Sequence, residues 1–175
     1  MTNKQKQCLL CYLGHYSGAI DGIWGKQSRQ AEAAFRRERG LRDGDILEDA
    51  LRKAVSEAPE DWWSGIAHFR REEFACKCGR YCDGWPAEMD RTVVEAADAL
   101  RSHFGAPAIV SSGLRCPKHN ANSGGVANSR HLRGKAIDLR VVGKSSQEVL
   151  VFLKTLPQIR YAYAINGQFV HMDVN

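Results

Sequence analysis

The spacing of apolar residues is helical over roughly the first third of the chain and then changes to a mixture of strand and helix patterns. Residues 4–13 place Cys8, Leu9 and Tyr12 close to one helical face, and Gly14 follows where a helix would end. Residues 16–25 are turn-rich. Ser28 reads as the N-cap of a second helix that runs through Ala31, Ala34 and Phe35 and closes at Gly40. A third helix, over 46–56, sets Leu47, Leu51 and Val55 on one side. Residues 58–64, with Pro59 and the pair Trp62 and Trp63, read as a linker, giving a helical unit at 1–58, a linker at 59–65 and a second unit at 66–175. In that second unit Pro86 opens a long helix whose buried stripe is Met89, Val93, Ala96, Ala97 and Leu100. A short strand at 108–111 and an alternating strand at 136–142 follow. Ser145 then caps a helix carrying Val149, Phe152 and Leu153. Residues 161–165 and 168–174 flank Asn166-Gly167, a strong hairpin signal. The fold class expected is α+β.

Composition narrows the choice of partner. A hydrophobic share of 43% is enough for a packed core, and no apolar run reaches the length of about 18 residues that a membrane span needs. The net charge of +5 is modest, and its densest cluster, Arg36, Arg37 and Arg39, is interrupted by Glu32 and Glu38. That pattern describes a solvated helix face, so neither nucleic acid nor membrane is expected as a partner, although weak attraction to an anionic polymer fits. Cys8 and Cys11 sit among leucines and read as buried free thiols. Cys76, Cys78, Cys82 and Cys116 leave three readings open: a disulfide pair, a second and structural metal site, or idle reduced thiols. Their spacing is not one of the standard zinc-finger spacings.

The first unit carries a recognisable string. Leu13-Gly-His-Tyr-Ser-Gly-Ala-Ile-Asp-Gly-Ile-Trp-Gly25, followed by Ser28, Ala31, Phe35 and Gly40-Leu41, resembles the peptidoglycan-binding-like three-helix domain. The resemblance implies a wall-anchoring module. Gly18, Gly22 and Gly25 would permit its tight turns, while Asp21 would bond loop amides, and Asp21 and Trp24 read as structural.

Chemistry concentrates in the second unit. A hydrolytic zinc site needs three protein ligands and one open position. His131 lies in a loop rich in Gly, Asn and Ser, Asp138 in the strand after it, and His171 in the last strand. Gly134 would let the loop fold back to bring them together. Taken singly, His171 among Phe169, Val170 and Met172 reads as a satisfied core histidine, whereas a carboxylate between Ile137 and Leu139 is costly unless paired or metal-bound. The wider string is more specific. Ser112-Gly-Leu-Arg115, Asn120, Gly124-Gly125, Ser129-Arg-His131, Gly134-Lys-Ala136, Asp138 and Phe169-Val-His171-Met-Asp173 resemble the zinc D-alanyl-D-alanine carboxypeptidase family. These murein peptidases share a fold core with the hedgehog signalling domain.

The resemblance implies one catalytic zinc on His131, Asp138 and His171, with Arg115 and Ser129 facing the substrate. It also implies a mainly antiparallel central sheet flanked by helices, behind a small three-helix domain. A fixed guanidinium at Arg115 would stabilise the oxyanion of amide hydrolysis, and Ser129 would either bond substrate backbone or order its own loop. Asn120 with Gly124 and Gly125 reads as loop-shaping. Many family members carry an acid three residues before the last zinc histidine, or a histidine two before it. Here those positions hold Gln168 and Phe169, and neither can act as a base. Asp173 shares a strand face with His171 and is placed either to accept a proton or to orient that histidine, with His119 a more distant alternative base. The expected protein is a monomeric murein peptidase acting on peptidoglycan. Its opening residues lack a signal-peptide pattern, so synthesis in a bacterial cytoplasm and later release, as for a phage endolysin, is the expectation. A non-catalytic wall-binding or phage structural protein is the rival.

Overall fold

The computed structural model describes residues 1–56, 62–79, 82 and 88–175. Its first helices are α1 (Asn3–Tyr12), α2 (Lys26–Glu38) and α3 (Leu47–Ser56). They enclose a core of Leu9, Leu10, Tyr16, Ala31, Phe35, Leu47, Leu51 and Ala54. Thr2 caps α1 through a capping box with Gln5. The expected cap at Ser28 is corrected: α2 starts three residues earlier with Gly25 at the cap, and Ser28 is buried inside its first turn. The reason is Gln7, a fully buried carboxamide on α1 that the apolar pattern could not reveal. Its Nε2 donates to Asp21 Oδ1 at 2.9 Å, Ile23 O at 3.1 Å and Ser28 Oγ at 3.2 Å, while its Oε1 accepts from Gly22 N at 2.7 Å. The turn-rich loop is therefore tied to α1 by a polar hub, and Asp21 also accepts from Ile23 N, as its structural reading required.

The sheet unit contains α4 (Arg91–Phe104), β1 (Ala108–Ser112), α5 (Pro117–Asn122), β2 (Ala136–Val141), α6 (Ser146–Leu153), β3 (Tyr161–Ala164) and β4 (Val170–Asp173). The strands form one antiparallel sheet in the order β1-β2-β4-β3. Pro86 lies outside the described residues. The long helix begins at Arg91, where Asp90 accepts from Thr92 N, so Met89 is a buried residue before the helix rather than part of its stripe. Ser145 caps α6 with a full capping box, as expected. Ile137, Leu139, Val170 and Met172 share one face of the sheet and join Val93, Ala97, Leu100, Val149 and Leu153 in a single core. Trp62 and Trp63, placed by sequence in the linker, form a 3-10 turn, and Trp63 is buried in that core against Phe74.

The hairpin joining β3 and β4 is longer by one residue than the Asn-Gly signal implied. Ile165 N bonds Phe169 O, and the Asn166 carboxamide accepts from both Gln168 N and Phe169 N. The loop is an Asx-type turn over 166–168. Its extra residue sets the register, pairing Tyr163 with His171.

The helical unit rests directly on the sheet unit. Cys8 Sγ donates to Leu132 O at 3.0 Å and Arg133 Nη2 to Gly18 O at 3.1 Å, and Cys8 and Ile20 belong to the sheet unit's core.

Candidate metal centre

Four residues stand in one row across the sheet. Ser112 on β1 pairs with Asp138 on β2, Asp138 with His171 on β4, and His171 with Tyr163 on β3. Directly opposed residues in antiparallel strands project to the same side, so the row presents a hydroxyl, a carboxylate, an imidazole and a phenol together. His131 reaches the row from the 3-10 turn Arg130–Arg133, which follows the Gly/Asn/Ser-rich loop. Gly134 ends that turn with φ +71°, and a Cβ there would stand 2.1 Å from Glu88 O. Only glycine allows this return of the chain, as its place in the sequence suggested.

The three proposed ligands converge. His131 Nε2, His171 Nδ1 and Asp138 Oδ1 are separated by 3.3, 2.7 and 3.3 Å. Ligand atoms about 2.0–2.1 Å from a tetrahedral zinc would stand about 3.3 Å apart, which fits two of the three edges. The third edge has closed to hydrogen-bond length. His131 Nδ1 donates to Gly113 O at 2.7 Å, which fixes the tautomer and turns the Nε2 lone pair toward the centre. Burial opposes the charge on Asp138, yet its close contacts with His131 and His171 and the nearby Arg115 guanidinium hold its carboxyl well below the usual range. A buried carboxylate kept ionised between two imidazoles is a suitable donor set for a divalent transition metal.

Arg115 is bound on two sides. Its Nε donates to Ser112 Oγ at 2.7 Å and its Nη2 pairs with Asp138 Oδ2, so it braces the outer oxygen of a ligand whose inner oxygen faces the centre. It also lines a cleft of about 620 Å³ with Ser129, His131, Asp138, Tyr163 and His171. Ser129 Oγ accepts from His131 N at 3.3 Å and so orders the turn that carries that histidine. Asn120 Nδ2 donates to Val126 O, and a Cβ at Gly125 would stand 2.1 Å from Asn120 Oδ1, which bears out the loop-shaping reading.

Asp173 is buried and points into the site's edge. Its two oxygens take a bidentate pair from Arg160, at 2.8 and 2.6 Å, and Oδ2 lies 3.5 Å from His171 Nε2. His119 sits elsewhere, with Nδ1 3.5 Å from Cys76 Sγ, and burial lowers its pKa. Sequence reasoning missed two residues of the site: Arg160, which pairs with Asp173, and Tyr163, whose ring stacks on the His171 imidazole with centroids 4.9 Å apart. Both follow from the β3–β4 register, which the hairpin residues alone left one position out.

The four cysteines also converge. Cys76, Cys78, Cys82 and Cys116 have sulfurs within 4.8 Å of one another, and all are free thiols. Burial disfavours ionisation of Cys78, but hydrogen bonds with Cys82, Cys76 and Cys116 outweigh it and hold it at about 7. Burial and the neighbouring sulfur charges push Cys76 up to about 11.

A two-histidine, one-carboxylate cluster open to a cleft, on an antiparallel sheet backed by helices, suits a metal-dependent hydrolase. Residues 67–173 match the family model of Peptidase M15, so the chain belongs to that family of zinc-dependent metallopeptidases. No similar sequence was found among curated proteins. No helix among the described residues is long and apolar enough to cross a membrane.

Proposed function

We propose that this peptidase hydrolyses an amide bond in bacterial peptidoglycan, in a stem peptide or a cross-link, as a carboxypeptidase or endopeptidase. The observation that carries the reading is the convergence of His131, Asp138 and His171 beneath an open cleft braced by Arg115. Zinc held by these three residues would supply a Lewis acid and an activated water. Arg115 keeps Asp138 ionised and oriented, and its guanidinium would stabilise the charge that develops on the scissile carbonyl oxygen. Ser129 sets the backbone of the His131 turn and faces substrate across the cleft. Asp173 holds His171 from behind, contacting Nε2 so that Nδ1 presents its lone pair. With both of its oxygens on Arg160, the carboxylate is better suited to orienting His171 than to carrying a proton. Residues 1–58 hold the enzyme on the wall, a role supported by the glycine-punctuated loop and its similarity to wall-anchoring modules. The combination suits an endolysin.

The test is mass spectrometry of muropeptides released from purified sacculi, with and without chelator. Chelator-sensitive release of peptide fragments identifies both the activity and the bond. Release of nothing by the fully metallated protein overturns it. A second reading, a wall-binding protein on the same fold, is favoured by Gln168 and Phe169 at the usual base positions. Its signature is sacculus binding with no fragments at any metal loading.

A further inference from the structure

We propose that Cys76, Cys78, Cys82 and Cys116 form a second metal site, a closed tetrathiolate that takes zinc or another soft divalent ion and serves structure rather than catalysis. The four sulfurs come from two remote parts of the chain. Three lie in the segment after Phe74, and the fourth sits at the N-cap of α5, immediately after Arg115. That approach is fixed independently of the thiols. Leu114 N donates to Phe74 O at 2.8 Å, and Lys77 Nζ donates to Val110 O at 2.6 Å. The segment therefore lies along the exit of β1 and delivers its cysteines to Cys116.

The geometry suits a metal better than the alternatives. Cys78 and Cys82 sulfurs are 3.4 Å apart, whereas a disulfide requires about 2.05 Å. Sulfurs about 2.3 Å from a tetrahedral zinc would stand about 3.8 Å apart, within the span observed here. Cys78 and Cys116 are buried, as a closed site with four protein ligands requires. Backbone amides already point at sulfur: Cys116 N donates to Cys76 Sγ at 3.2 Å and His119 N to Cys116 Sγ at 3.4 Å. Such donors offset the charge of bound thiolates. On binding one divalent ion, four thiols release four protons to solvent and leave a cluster of net charge −2, with no change in oxidation state. All-sulfur ligation selects zinc-like ions over magnesium or calcium. Four protein ligands leave no position for substrate, which separates this site from the His131–Asp138–His171 centre.

The experiment is cobalt(II) substitution of the full-length chain purified under reducing conditions, read by absorption and by metal analysis. Two metals per chain are expected, with an intense thiolate-to-cobalt charge-transfer band from one of them. Cys82→Ser and Cys116→Ser should each lose that band and one metal. His171→Ala should keep the band and lose the other metal, so failure here is distinct from failure of the peptidase assignment. Should a cysteine variant not fold, the wild-type spectrum decides alone. A wild-type spectrum without the sulfur band, or an intact mass lacking the hydrogens of one or more disulfides, overturns the proposal.

Discussion

Two clusters of side chains that could hold a metal ion lie on either side of the Arg115–Cys116 peptide, and they are built in opposite ways. The histidine–aspartate cluster is positioned by secondary structure. Asp138 and His171 are opposed on neighbouring strands, and His131 is held by a carbonyl and a glycine-closed turn. None of the four cysteines lies on a strand. Three of them lie on irregular chain, and the fourth caps a helix of six residues. In the first case the scaffold orders the side chains, and a metal held there would keep a position open for chemistry. In the second, the ligands order the scaffold and use every position to do so. Rigidity flows from the sheet to one cluster and from the other cluster to its loops.

Removing a ligand from the sheet cluster should have the largest effect. His171→Ala is expected to abolish peptide release and lose one metal per chain while the helical content seen by circular dichroism stays; full metal occupancy would break the assignment. The same inactive variant should still sediment with sacculi if residues 1–58 anchor the protein. Arg115→Lys keeps charge but cannot hold Ser112, Asp138 and substrate with one planar group. Turnover should fall by about 10²-fold or more with metal retained, and near-normal turnover would remove Arg115 from the mechanism. Asp173→Asn should weaken metal affinity by roughly 10- to 100-fold, with activity recovered by excess metal, because the contact with His171 Nε2 is an orienting one. A fall of about 10² to 10⁴ in turnover with metal bound would instead make Asp173 the base. Ser129→Ala should have the smallest effect. Loss of its cap costs about 0.5–2 kcal/mol, read as a lower melting temperature, whereas a raised KM at unchanged stability would mark a substrate contact.

The parts of this molecule that were legible in its sequence are those specified locally. The alternation Ala136-Ile-Asp-Leu placed Asp138 on the face opposite Ile137 and Leu139, and His171 followed from the same period in the last strand. Ser145, Gly134 and the apolar stripe of α4 were equally local signals. Other features needed coordinates because they depend on contacts between distant residues. Ser28 has the chemistry of a cap, but Gln7, 21 positions away, claims its hydroxyl. Asn166-Gly167 marks a turn without stating its length, so Tyr163 and Arg160 came into the site only with the true register. The cysteine spacing is uninformative until the contact of Leu114 with Phe74 closes the loop.

The seam between the two units has a consequence for how such proteins can be recombined. Cys8 and Arg133 tie the first helix and its following loop to the turn that bears His131, and Ile20 is shared with the sheet unit's core. A module joined only by a tether can be exchanged by cutting the tether. This one cannot, because the floor beneath His131 is partly made by the helical unit. Lineages or engineers that swap the helical unit must carry the matching surface of α1 with it, and any displacement of that helix arrives one residue from His131.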